Sequence, residues 1–228
     1  MKHLLYKEFK LSVPLLSYLL IVLLAMSALS PAFPSFVPIM YMGATYTFLF
    51  IGMNKTTTTN DLYYTCTLPI RRQDVVKARV ASLTVIQLIE IILVFAFMSV
   101  ANFVFEAASV AEGGKSMQVS LNMHQPIALL AVYLISYSVY DIIYLPWFYK
   151  NGKSIIANML VGMLATAVVS AGLTIGLFYA AADLLTIGGA NANYILQFGL
   201  LLAALGIFIA CKALVIKMST KNLVKLDF

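Results

Sequence analysis

Charged side chains are scarce in this chain: Asp, Glu, Lys and Arg make up only 11% of its 228 residues. A soluble globular domain carries about 25%. A water-soluble fold of this length could not cover its surface with so few charges, so that class is excluded. The apolar share is 62%, which is enough for six membrane helices of ~20 residues each. Little of the chain remains for a separate catalytic domain.

Histidine and cysteine are also rare, with two of each. Four such side chains make no convincing zinc site, and neither an HExxH pair nor a GxSxG elbow is present. Gly152-Lys153-Ser154 is similar to the end of a phosphate-binding loop, but Trp147 stands where that motif requires its first glycine. We therefore expect no catalytic residue, no metal and no cofactor in this chain.

Long stretches carry no charge or a single acid, and they are separated by Pro, Gly and polar clusters. For example, no charged residue lies between Lys10 and Lys55. The sequence thus predicts an all-α integral membrane protein, with residues 1–228 forming one transmembrane domain. The six predicted spans are Leu11–Leu29, Phe36–Met53, Val80–Phe105, Pro126–Trp147, Ile155–Ala181 and Tyr194–Val215.

The basic residues orient these spans, because all of them except Lys115 fall on one side. Lys and Arg accumulate in cytoplasmic loops, so both termini are predicted to be cytoplasmic. Residues 25–27 have the small-x-small form of a signal-peptide cleavage site. Pro14 and the long apolar continuation favour an uncleaved first span instead.

The two ends of the chain have their own patterns. Residues 1–10 are expected to form a short interfacial helix of imperfect amphipathicity. Near the other end, basic residues recur every four positions and form one stripe if the sixth helix continues, which suits anionic lipid. The members of this stripe are Lys217, Lys221 and Lys225.

The loop at residues 54–79 is the largest predicted cytoplasmic segment. One helix can start near Ile70 and run into the third span. Before it, Thr59 or Asn60 can cap a helix whose positive end suits Asp61, and Pro69 limits that helix to about two turns. Such a short helix is marginal alone in water. Its apolar and aromatic side chains therefore either lie flat at the bilayer interface or fill a groove on a cytoplasmic partner. These side chains are Leu62, Tyr63 and Tyr64.

Two acids and a glycine pair stand out within the predicted spans. Glu90 and Asp141 lie at depths where a charge costs ~2.5–3.5 kcal/mol. They either line a translocation path or a dimer interface, or they are hydrogen-bonded structural acids. Gly172 and Gly176 form a small-xxx-small pair that allows close helix approach, within the chain or between subunits.

Three features of the sequence are found together: the opening residues 1–10, the six-span plan, and above all Asn60-Asp61 followed by residues 68–79, which read LPIRRQDVVKAR. In these features the chain resembles the small type-2 permease subunits of bacterial ABC exporters. That family typically places an acidic, aromatic stretch before Leu-Pro, a basic residue and a helix rich in Val, Ile and Lys. The Gram-positive permeases that export phenol-soluble modulins and similar amphipathic peptides are similar in particular. The large extracellular domain of some relatives is missing here.

The resemblance implies a permease in a bacterial plasma membrane that exports an amphipathic peptide or another hydrophobic substrate. A separate ATPase would hold ATP and Mg²⁺, and a second permease subunit, identical or different, would complete the transporter. Gly172 and Gly176 would then suit a subunit interface, since spans one and five usually form it. No nucleic-acid partner is expected. The residues that would couple to the ATPase are Asp61, Leu62, Tyr63, Tyr64, Leu68, Pro69, Arg71 and Arg72.

Two other functions remain open from the residues themselves. An ion- or proton-coupled carrier would use Glu90 and Asp141 as a titrating pair. A membrane scaffold or bacteriocin-immunity component would transport nothing.

Overall fold

A computed structural model describes residues 2–9, 15–27, 70–111, 126–151, 155–185 and 193–225. Within these ranges the regular structure is entirely helical, as the sequence predicts. The helices are α1 (Lys2–Lys7), α2 (Leu15–Met26), α3 (Arg72–Ala111), α4 (Pro126–Asn151), α5 (Ile155–Leu185) and α6 (Tyr194–Val224).

Four of the described helices, α3 to α6, are long and apolar enough to cross a membrane. They correspond to the third to sixth predicted spans. The first predicted span contains α2, which has 12 described residues, and the second, Phe36–Met53, lies outside the described residues.

Two helices extend further than their predicted spans. Helix α3 begins at Arg72, which agrees with the helix predicted to start near Ile70 and run into the third span, and α6 continues to Val224 rather than ending near Val215. No Pro or Gly interrupts either extension, so a polar helix can continue out of the apolar segment. Hydrophobicity marks the part of a helix that lies in lipid and carries no signal for the rest.

Helix α4 forms the centre of the bundle, packed against α3, α5 and α6. Its buried face is rich in tyrosine, with Tyr140 and Tyr144 stacked at 5.4 Å between ring centroids. Gly162 of α5 lies against the Tyr140 ring, and a Cβ there would be 3.0 Å from that ring. The absence of a side chain at Gly162 thus allows α5 to approach α4 closely. The fully buried tyrosines are Tyr133, Tyr137, Tyr140, Tyr144 and Tyr149.

The outward faces of α5 and α6 are apolar and exposed, as expected for helices whose solvent is lipid. Leu164 and Val168 of α5 are 67% and 72% exposed, and Ile195 of α6 is 88% exposed. In water such faces would drive aggregation. They therefore support placing both helices in a bilayer.

Hydroxyl side chains within the membrane helices bond to their own backbone. Ser136, Ser138, Thr166 and Thr174 each donate to the carbonyl four residues earlier, at 2.7–2.8 Å. This back-bonding satisfies a polar group without a partner helix. These residues therefore need no functional explanation.

Candidate functional site

The predicted ATPase-coupling residues divide into two groups. The first group lies outside the described residues, so its predicted role stays a prediction; it comprises Asp61, Leu62, Tyr63, Tyr64, Leu68 and Pro69. The structure does describe Arg71 and Arg72, where the loop enters α3. Arg71 is exposed and Arg72 is partly buried.

Arg72 connects the start of α3 to the end of α6. Its guanidinium donates to the carbonyls of Leu223 and Val224, at 3.2 and 3.0 Å. The last carbonyls of a helix have no partner within it, and a cation complements the negative end of the helix dipole. Arg72 therefore caps α6 while it sits at the exit of the predicted coupling loop.

A buried ion pair links α3 to the N-terminal segment. Arg79 Nε lies 3.0 Å from Glu8 Oε2, and a second guanidinium nitrogen donates to Glu8 Oε1 at 3.3 Å. Two parallel bonds of this kind fix orientation as well as distance. On a helical wheel Glu8 falls among apolar positions, and this pair explains it: the carboxylate faces Arg79 rather than water.

The third connection is a buried polar cluster of Gln87, Asp141 and Lys212, from α3, α4 and α6. Lys212 Nζ lies 2.5 Å from Asp141 Oδ2 and donates to Gln87 Oε1 at 2.6 Å. The Gln87 amide nitrogen donates to both Asp141 oxygens, at 3.0 and 3.3 Å. Each of the three side chains therefore contacts the other two, and every acceptor oxygen has a donor.

Asp141 and Lys212 lie at similar distances from the C-terminal ends of their helices. Asp141 precedes the end of α4 by ten residues and Lys212 precedes the end of α6 by twelve. At ~1.5 Å per residue both lie roughly 15–18 Å from those ends. Lys212 also lies 4.7 Å from the Phe208 ring centroid, where a cation is attracted by the ring face.

Lys212 is the site residue that the sequence reasoning missed. The charge pattern places Lys212 with the basic residues at the cytoplasmic side, but the structure buries it within the bundle, where it is only 8% exposed. The signal was available: Lys212 lies inside the predicted span Tyr194–Val215, opposite in charge to an acid in another span. Intramembrane charges usually pair with one another.

Glu90 lies one helical turn beyond Gln87 on α3 and is completely buried. Neither carboxylate oxygen has a hydrogen-bond partner among the described residues. Since none of its surface is exposed, the side chain faces the bundle rather than lipid. The two predicted acids thus differ: Asp141 has a complete set of partners, whereas Glu90 has no described hydrogen bond.

The predicted glycine pair faces away from the described helices. A Cβ built on Gly172 or Gly176 meets no described atom within 4 Å, and both residues are exposed. The predicted default, packing against another span of the same chain, is therefore not seen among the described helices. Gly162, in the same helix, makes the close helix contact instead.

The polar contacts of Arg72, Arg79 and Gln87 join α3 to other segments of the chain. In the ranges that the structure describes, no three His, Cys, Asp or Glu residues come together to hold a metal ion. The three connections of α3 instead reach α1, α6 and α4.

Residues 3–223 match the family described as ABC-2 family transporter protein. The chain belongs to this ABC-2 transporter family. It is therefore a multi-pass membrane permease of an ABC transporter, a component that works with a separate ABC ATPase. No curated protein and no solved structure shows significant similarity to this ABC-2 permease.

Proposed function

We propose that this permease exports amphipathic peptides or other hydrophobic molecules, as one of two permease subunits driven by a cytoplasmic ATPase. Family membership supports an ABC permease. The direction and the substrate class rest on the resemblance of residues 60–79 to the small peptide-exporting permeases. The apolar outward faces of α5 and α6 suit a lipid bilayer, and its assignment as a bacterial plasma membrane rests on the same resemblance.

The observation that carries the proposal is the continuity of α3. This helix has 40 residues, so at ~1.5 Å per residue it is roughly 60 Å long. The hydrocarbon core of a bilayer is only ~30 Å thick. One uninterrupted helix therefore leads from the predicted coupling loop through the membrane, and movement of the loop is transmitted along it.

Three side-chain contacts join α3 to other segments of the chain, and those segments are expected to move together with α3. Arg72 holds the end of α6, Arg79 holds α1 through Glu8, and Gln87 joins the ion pair between α4 and α6. A displacement at the loop would therefore move a linked group of helices rather than bend α3 alone. This supports nucleotide-driven closure of the ATPase as the source of movement in the permease.

The two intramembrane acids take different roles in the proposal. Asp141 holds the buried polar cluster together, since its carboxylate is fully occupied by Lys212 and Gln87. That argues against the carrier hypothesis, in which it would titrate with Glu90. Glu90 is the acid we assign to the translocation path, because its carboxylate is buried in the bundle without a described hydrogen bond.

The second subunit is proposed to contact the outward face of α5. Gly172 and Gly176 lie on this face, where no described helix covers them. Small residues four apart allow two helix backbones to approach. The same face carries exposed Leu164 and Val168 on neighbouring turns.

Recovery of the ATPase with the full-length permease tests the coupling loop. We expect Tyr63→Asp with Tyr64→Asp to abolish co-purification, because a buried aromatic contact would be replaced by two charges. The matched control, Tyr63→Phe with Tyr64→Phe, keeps the rings and should keep the partner. Equal recovery with both double variants would show that these tyrosines do not contact the ATPase.

A further inference from the structure

A groove of about 570 Å³ lies between the C-terminal parts of α4 and α6. It shares no lining residue with the buried polar cluster. Its walls combine aliphatic side chains, one tryptophan, one amide and three lysines. It is lined by Ile142, Trp147 and Lys150 of α4 and by Met218, Lys221 and Lys225 of α6, among others.

The groove changes from apolar to cationic along the helices. On α4 the lining begins with Ile142 and ends with Lys150, and on α6 it begins with Met218 and ends with Lys225. Both helices therefore place aliphatic side chains on the membrane side and lysines at the helix ends. Trp147 lies between, as tryptophan does at a membrane–water interface. This order matches an amphipathic ligand with an anionic head.

The charge of the groove is positive even after the helix ends are counted. The C-termini of α4 and α6 together contribute roughly −1 elementary charge, against three lysines and no acid among the lining residues. In the described part of the chain, no ion pair occupies these lysines. Asn222 donates its amide to the Pro146 carbonyl at 2.7 Å, which joins the two walls of the groove and holds their spacing.

We propose that this groove binds one anionic phospholipid. The headgroup phosphate lies among Lys150, Lys221 and Lys225, and an acyl chain lies along the aliphatic wall that includes Ile142 and Met218. Basic pockets between membrane helices at the cytoplasmic side are suited to such headgroups. The aliphatic wall favours lipid over an acidic segment of a soluble protein, which would leave that wall uncovered.

The test uses Trp147, the single tryptophan of the chain. The full-length permease is reconstituted in phosphatidylcholine vesicles with an equal small fraction of either brominated phosphatidylglycerol or brominated phosphatidylcholine. We expect stronger quenching of Trp147 by the anionic lipid. Each groove lysine should contribute about fivefold to that preference.

Lys217 provides the matched control. It lies one turn before Lys221 on α6 and is likewise exposed, but it does not line the groove. Lys221→Gln should lower the preference about fivefold, whereas Lys217→Gln should leave it nearly unchanged. Both variants remove the same charge from an exposed position, and their elution in detergent checks that they fold alike.

Several results would overturn the proposal. Equal quenching by the two brominated lipids would show that the groove does not select charge. Equal loss in the two lysine variants would assign the preference to the overall positive end of the bundle. Relief of quenching by millimolar inorganic phosphate would indicate a site for free anions. Relief on addition of the ATPase, if it is lost in Lys221→Gln, would indicate a protein-binding site.

Discussion

Breaking the ion pair of the buried polar cluster should destabilise the bundle far more than removing the whole cluster. In Asp141→Leu the Lys212 ammonium loses its counter-ion, and in Lys212→Met the Asp141 carboxylate loses its own. Both side chains are buried. Leaving one partner of a buried pair uncompensated costs about 3–5 kcal/mol.

The double and triple variants separate the ion pair from Gln87. With Asp141→Leu and Lys212→Met together, no charge is left unpaired, but the Gln87 amide loses its hydrogen bonds to both residues. An unsatisfied buried polar group costs about 1–3 kcal/mol. Adding Gln87→Leu removes that cost, and an apolar replacement for a buried pair is often neutral or stabilising. We therefore expect the triple variant to be about as stable as the original chain.

The free energy of unfolding is measured by circular dichroism in mixed micelles with a rising fraction of denaturing detergent. The expected order is single variants least stable, then the double, then the triple. Singles summing to about 6–10 kcal/mol against a double of about 1–3 kcal/mol would give a coupling of several kcal/mol. If the double variant loses as much as the two singles added, Asp141 and Lys212 do not interact and the description of the cluster is wrong.

Three further predictions concern other contacts of the bundle. Glu90→Gln should leave the unfolding free energy unchanged or higher, since no described hydrogen bond is lost, while ATP-driven transport falls; a stability loss without a transport loss would contradict the assignment. Gly162→Val should cost about 1–3 kcal/mol by overpacking, because a Cβ at this position would be 3.0 Å from the Tyr140 ring, whereas Gly172→Val in the same helix should change monomer unfolding little. Glu8→Arg or Arg79→Glu alone should lower the unfolding midpoint, and the two combined should recover most of it; no recovery would show that the pair is not a specific contact.

The four described membrane helices, α3 to α6, could be predicted from the sequence, because lipid imposes a simple rule on composition. Apolar stretches bounded by Pro, Gly or charge predict α3 to α6 within a few residues in the membrane. The start of α3 at Arg72 agrees with the helix predicted to begin near Ile70, after Pro69, whereas the end of α6 at Val224 could not be located from the apolar stretch. A helix that leaves the bilayer is polar, and nothing in its hydropathy marks where it stops.

The candidate site could be predicted only as a set of unusual residues, without their partners. Glu90 and Asp141 were recognisable because each is a lone acid in an apolar stretch. Asp141 and Lys212 are 71 residues apart in sequence, and they meet because α4 packs against α6. Glu8 and Arg79 are likewise 71 residues apart. Contacts between residues so far apart in sequence depend on tertiary packing, which local sequence patterns do not encode.

Transport into sealed proteoliposomes tests whether a separate ATPase drives this permease. The vesicles contain the full-length permease with its ATPase, and a labelled amphipathic peptide is the substrate. We predict that the peptide crosses the membrane only with ATP and the ATPase present, with no proton or sodium gradient. Transport by the permease alone, driven by such a gradient and indifferent to ATP, would show that the chain is a gradient-coupled carrier instead.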